Sequence, residues 1–253
     1  MAVNRSREYY IGGGELFIKP EGDSNFRYFG ATQDFKINFN VDKIEHKSAE
    51  GELLVTDMEV VKEVKAEVSF ITDDFQKDVL ALAFGGEYVD KKQSSGSVTD
   101  QEFSGVIGGA VYELGYVKVS NVVVKYKDGD DDKEAVEDVD YSVDYEFGRI
   151  EIAKGGAIDG KDIKVSFDYA SADLSYFTSL NNVSRIVSLE FISKPKKGKA
   201  RKTIIHKVQL SLNGDYDLKT PDKFGSLNFK GKILKDETKP EGKQFVETIV
   251  VGW

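Results

Sequence analysis

Val60-Val61-Lys62-Glu63-Val64-Lys65-Ala66-Glu67-Val68-Ser69-Phe70 leads, one residue later, into Thr72-Asp73-Asp74-Phe75-Gln76-Lys77-Asp78-Val79-Leu80-Ala81-Leu82-Ala83-Phe84. In the first run Val64, Ala66, Val68 and Phe70 recur at every second position, the period of a strand with one buried face. In the second, Phe75, Val79, Leu82 and Ala83 recur at three and four, the period of a helix with an apolar stripe. Thr72 or Asp73 is placed to accept from the free N–H groups of a first helical turn, and the aspartates suit the positive end of its dipole. Gly85-Gly86 supplies a left-handed stop. The spacing predicts a long strand and then a single short helix over about 72–84.

Elsewhere the period is two. Phe35 to Val41, Tyr116 to Tyr126, Ile163 to Tyr169, Ile204 to Leu212, Leu227 to Ile233 and Phe245 to Val251 all alternate, with Gly, Asp or Lys clusters between them. After the helix, Glu87 to Thr99 turns polar, and from Val98 to Ala172 the chain reads as short hairpins. The sharpest is Val139 to Ile152, two strands around a turn at Phe147-Gly148. The fold class expected is mainly β: a β-sandwich or half-barrel from residues 1–87 and 174–253 with one flanking helix, interrupted by a small inserted β-hairpin domain, 88–173. Gly12-Gly13-Gly14 precedes a strand expected at Glu15 to Lys19 and predicts a flexible Met1 to Gly14.

Composition narrows the function. Of 253 residues, 40% are hydrophobic and 31% charged, enough apolar surface for a folded core. Lys plus Arg is 35 against 44 Asp plus Glu, and a net charge of -9 argues against wrapping a phosphate backbone. There is no cysteine, hence no disulfide, thiolate or Cys-type zinc site, and the two histidines, His46 and His206, lie far apart in sequence. The first twenty residues hold no apolar signal segment and no stretch is long and apolar enough for a membrane helix, so the chain is expected to be made in the cytoplasm without a membrane-spanning segment.

The motifs with chemical overtones fail on their context. Gly155-Gly156-Ala157-Ile158-Asp159-Gly160-Lys161 has the spacing of a phosphate-binding loop, but Asp162 stands where Ser or Thr should hold magnesium, and Ile163 to Tyr169 is a strand rather than a helix. Asp128, Asp130 and Asp132 start like an EF-hand loop, but Lys133 replaces the turn glycine and Val139 the bidentate glutamate. No nucleophile elbow or HExxH occurs. No catalytic, cofactor or metal site is expected, and the protein is read as a non-enzyme.

Two features point instead to contacts between molecules. Lys194-Pro195-Lys196-Lys197-Gly198-Lys199-Ala200-Arg201-Lys202 holds six positive charges and no negative one, between strands expected to end near Ile192 and resume near Thr203. The connection from Asp42 to Asp57 sets apolar Leu53, Leu54 and Val55 among Glu45, His46, Lys47 and Glu50, too apolar for an idle loop.

The order of these segments carries a family resemblance. Tyr28-Phe29-Gly30-Ala31-Thr32-Gln33-Asp34-Phe35-Lys36-Ile37-Asn38-Phe39, then Glu45-His46-Lys47-Ser48-Ala49-Glu50-Gly51, a strand from Glu59 to Phe70 and the helix resemble the major tail tube proteins of long non-contractile-tailed bacteriophages. The hairpins Val139 to Asp144, Gly148 to Ile150, Gly155 to Ile158 and Val165 to Tyr169 look like the extra hairpins several such proteins carry. The resemblance spans most of the chain. It implies six copies to a ring, rings stacked into a virion tail, inner strands joined into one barrel, and DNA passing through the lumen without specific binding. Other tail proteins would meet the tube ends. An acidic lumen would repel DNA, which the net charge permits.

On that footing Asp42 to Asp57 is a candidate ring-stacking arm, with Asp42, Glu45, His46, Lys47, Glu50, Leu53, Leu54 and Val55 as contact candidates. Lys194, Lys196, Lys197, Lys199, Arg201 and Lys202 are candidates to meet acidic positions on an adjacent copy. The inserted domain is expected on the outer surface. The alternatives are another ring protein at the tail end or baseplate, or a carbohydrate-binding β-sandwich using Tyr9-Tyr10 or Tyr141 with Tyr145.

Overall fold

A computed structural model describes residues 8–51, 53–183 and 185–252. Met1 to Arg7, half of the segment expected to be flexible, and Glu52 within the expected arm lie outside the described residues. Strands take 57% of the chain and helix 3%, so the fold is mainly β with one short helix. The chain divides into two compact units, Met1–Tyr88 with Phe177–Trp253, and Val89–Tyr176.

The first unit contains β1 (Ile11–Pro20), β2 (Arg27–Gly30), β3 (Thr32–Ser48), β4 (Val55–Thr72) and α1 (Lys77–Ala83). The connecting ribbon and the inserted unit follow as β5 (Tyr88–Gln93), β6 (Gly96–Phe103), β7 (Val111–Glu113), β8 (Val119–Asp128), β9 (Asp131–Glu134), β10 (Tyr141–Asp144), β11 (Arg149–Ile152), β12 (Ile163–Tyr169) and β13 (Ala172–Phe177). The chain returns to the first unit with β14 (Arg185–Lys197), β15 (Arg201–Leu212), β16 (Leu227–Ile233) and β17 (Val246–Val250).

One eight-stranded sheet builds the first unit, in the order β2-β1-β14-β15-β16-β4-β3, with β17 on β15. Its ladders are antiparallel. β16 and β17 share one edge of β15, opposite Val208–Leu212 and Arg201–Ile205 respectively. β16 shows strict alternation of buried and exposed residues, placing Leu227, Phe229 and Ile233 in a core with Leu16, Phe29, Val68, Phe70, Leu189 and Ile205. Phe70 lies directly opposite Phe229, their rings stacked at 5.3 Å, while Phe29 meets each edge-on. α1 buries Val79, Ala81, Leu82 and Ala83.

Three expectations are corrected. The helix is shorter than 72–84 because Thr72 belongs to β4, paired with Leu227 and Thr32, and its hydroxyl donates to Ala31 O at 2.6 Å. Asp74 then accepts from Gln76 N, an Asx turn that delays the helix to Lys77, so Phe75 falls outside it and packs on Tyr216 instead. The triglycine is not loose: Gly12 to Gly14 are paired with Ser193 to Pro195 in β1. A Cβ on Gly14 would lie 2.6 Å from Ile192 O and 2.2 Å from the Phe191 ring, so glycine is there for a close approach. Asp42 to Asp57 is not a connecting loop but the far end of the β3–β4 hairpin.

The inserted unit has a four-stranded sheet, β6-β12-β8-β9, and a three-stranded one, β10-β11-β7, around a core of Val124, Ile150, Ile158, Val165 and Phe167. The hairpin read from Val139 to Ile152 pairs Tyr141 with Ile152 and Asp144 with Arg149, and Gly148 takes φ 63° in its turn.

Candidate functional site

β3 and β4 form one hairpin of 17 and 18 residues that outruns the sheet. β16 covers β4 only from Glu67 to Thr72, so from Val55 to Lys65 β4 is paired with β3 alone. The burial of β4 changes at that point: Ala66, Val68, Phe70 and Thr72 are buried, and Val55 to Val64 is exposed throughout. Its composition does not become polar to match. Val41 lies opposite Val64, Ile44 opposite Val60, and Phe39, 60% exposed, opposite Ala66. Met58, Leu53, Leu54 and Val55 carry the apolar surface to the tip, with Leu53 at 79% exposure.

A two-stranded ribbon is marginal by itself in water, and exposed polar pairs, each worth little by itself, line this one. Lys65 meets Asp42 at 2.6 Å and Glu63 at 3.1 Å, His46 Nδ1 lies 2.6 Å from Asp57 Oδ1, and Lys43 pairs with Glu59. The Lys65 ammonium holds the Asp42 carboxyl below the usual carboxylate range, first by hydrogen bonding and then by charge. Thr56 Oγ1 donates to Glu45 at 3.5 Å. Of the residues expected to meet another molecule, Asp42, Glu45 and His46 also have partners within the hairpin. Lys47 and Glu50 are exposed near the tip, with Leu53, Leu54 and Val55. The sequence reading missed Phe39, Val41, Ile44, Met58, Val60 and Val64, because alternation alone does not separate a core face from an uncovered one.

The basic run is also a hairpin rather than a loop. β14 continues to Lys197 and β15 starts at Arg201, with Gly198 at φ 99° in the turn. Its cations are largely answered within the chain: Lys194 pairs with Glu15, Lys199 with Glu8 at 3.0 Å and Lys202 with Glu190 at 2.7 Å. Lys197 lies over the Tyr9 ring at 5.5 Å and Arg201 over Tyr10 at 4.9 Å. These contacts tie residues 8–15 to the turn, and Lys196 remains exposed.

The other singled-out residues have local roles. Asp128 is shared by Lys133 and, at 3.3 Å, Lys161. Asp159 accepts from Gly108 N and Gly155 N, fixing the glycine-rich turn before β12. Tyr141 is buried, and Tyr145 donates to Glu137; burial raises the first phenol to about 12, and the hydrogen bond to Glu137 the second to about 12. Among the described residues, no group of three or more His, Asp or Glu side chains is arranged to hold a metal ion, and no helix is long and apolar enough to cross a membrane.

Residues 9–247 match the model of a family described as Protein of unknown function UCP028589. No curated protein matches the chain.

Proposed function

We propose that this chain, which belongs to the family of unknown function UCP028589 across 9–247, is a structural virion protein that self-assembles into stacked, six-membered rings forming a phage tail tube. The observation carrying this reading is the β3–β4 hairpin, with apolar residues in water on a ribbon whose outer backbone edges have no ladder partner among the described residues. A long, apolar, unpaired edge is an association hazard for a monomer. It is an asset for a chain that meets copies of itself, since each added strand satisfies backbone groups and covers Phe39, Val41, Ile44 and Val60 together. The hairpin then reaches from one copy to the next as the stacking arm, while the inserted unit decorates the outside.

The charge distribution refines the lumen. Val89–Tyr176 holds 19 Asp and Glu against 10 Lys and Arg, which accounts for the whole net charge of -9. The rest of the chain is balanced, 25 against 25. On this reading the sheet lines the lumen without an acidic excess from its unit's net charge, and a balanced sheet gives DNA no net attraction, which lets it pass. On this reading the protein is not an enzyme, needs no cofactor, and resides in the virion with other tail proteins at the tube ends.

Light scattering across protein concentration, at low salt and at about 1 M salt where the screening length falls to about 3 Å, tests the reading. Growth into large particles that survives high salt is expected of an apolar, edge-paired contact. Particles that dissolve in salt would shift the contact to the charged turn at Lys196. Closed rings that never stack would favour a tail-end ring protein.

A further inference from the structure

We infer that the inserted unit is a saccharide-binding module whose site is the open cleft of about 720 Å³ between the β5–β13 ribbon and the β10–β11 turn. All of its lining belongs to Val89–Tyr176, so the inference stands or falls apart from the tube assembly. The volume is within the range of small-ligand sites, roughly 300–1,000 Å³.

The lining has the chemistry of a sugar site. Phe147 and Tyr176 expose 64% and 52% of their surface in a unit whose other large rings are mostly buried or half-buried. Tyr116 and Tyr169 form a stacked wall, centroids 3.9 Å apart, propped by buried Phe167. The backbone next to that wall is held by Gln93, itself a lining residue, whose amide donates to Val117 O and Ala170 O, both at 2.8 Å, and accepts from Val117 N. A flat ring with an apolar face and a polar rim is what the C–H face of a pyranose stacks on, while neighbouring polar groups take its hydroxyls.

Charge selects among ligands. The charged lining is Lys91, Lys92 and Arg149 with Glu113; Arg149 is bound to Asp144 at 2.6 Å and also feels Glu113, and Lys92 lies 3.9 Å from Asp173. With Asp144 and Asp173 counted beside the lining, these three cations face three carboxylates, and the cleft sits in a unit carrying -9. A polyanion is repelled at long range and finds no surplus cation on arrival. Neutral hexose oligosaccharides meet neither obstacle.

The test is isothermal titration calorimetry of the full chain with neutral hexaoses of glucose in α1,4, β1,4 and β1,3 linkage and of mannose. A polyuronate and an oligothymidylate serve as comparators. At least one neutral oligosaccharide is expected to bind at sub-millimolar to millimolar concentration, with Phe147→Ala and Tyr176→Ala each weakening it about three- to tenfold and Tyr176→Phe retaining most of it. Both rings are exposed, so unchanged thermal unfolding of the variants is expected and checks that the fold is intact. No heat with any neutral hexaose at about 10 mM, tighter binding of either polyanion, or binding indifferent to both alanine variants would overturn the inference.

Discussion

His206 shows how one buried polar atom can decide a property of the whole fold. It lies in β15 beside the docked β17, its Nε2 buried, without a hydrogen-bond partner among the described residues, and 3.9 Å from Glu247. Burial first, with Lys239 adding to it, lowers the imidazole below its usual 6.5 against the opposite pull of Asp236 and Glu247. A base depressed in the folded state leaves the unfolded chain the better proton acceptor. Its stabilising contribution is complete above pH 6.5 and is lost as pH falls from there toward the lower folded value. Thermal unfolding from pH 8 to pH 5 is expected to show a Tm that declines below about 6.5, and His206→Gln to flatten that decline. A decline unchanged in the variant would assign it to other groups. Gly14 is a second such position. Gly14→Val drives a side chain toward Ile192 O and Phe191, and Phe191 in turn stacks on Phe35 at 5.1 Å. A loss of about 1–3 kcal/mol in urea unfolding is expected, as for overpacking; an unchanged midpoint would mean that β1 shifts freely.

At the scale of elements, legibility followed the source of the periodicity. β12 and β16 were readable to the residue because each is crossed by strands on both sides and alternates without interruption. Thr72 and Asp73 read as caps of the helix, but Thr72 ends a strand and Asp74 makes a turn that delays the helix start. Asp42 to Asp57 reads as a connection and 194–202 as a charged loop or hairpin tip, and in both hairpins charges pair across the ladder or with nearby chain. The aromatic cleft escaped notice altogether: Phe147, Tyr116 and Tyr176 are distant in sequence and share no period. The β3–β4 hairpin separates folding from assembly in a testable way. The triple variant Leu53→Ser, Leu54→Ser, Val55→Thr changes only exposed residues, so each change is expected to leave unfolding free energy within about 0.5 kcal/mol. Phe229→Ala, in the core, is expected to cost about 3–5 kcal/mol. The triple variant should nevertheless lose large-particle formation in light scattering. If it assembles like the parent, the hairpin tip is not a contact.

For the whole molecule, the division of labour is also a division of charge. The sheet-bearing unit is balanced and carries the uncovered apolar hairpin, whereas Val89–Tyr176 carries the entire acidic excess. In the proposed assembly, like-charged inserted units repel one another, which disfavours contact through them and favours contact through the sheet unit. Composition disclosed the sign of the net charge but not its location, which needed the boundaries at Tyr88 and Phe177. Negative-stain electron microscopy of the purified full chain over a range of concentrations tests the tube proposal most directly. Hollow rings or tubes of one uniform bore are expected; a strict monomer at every concentration would contradict it.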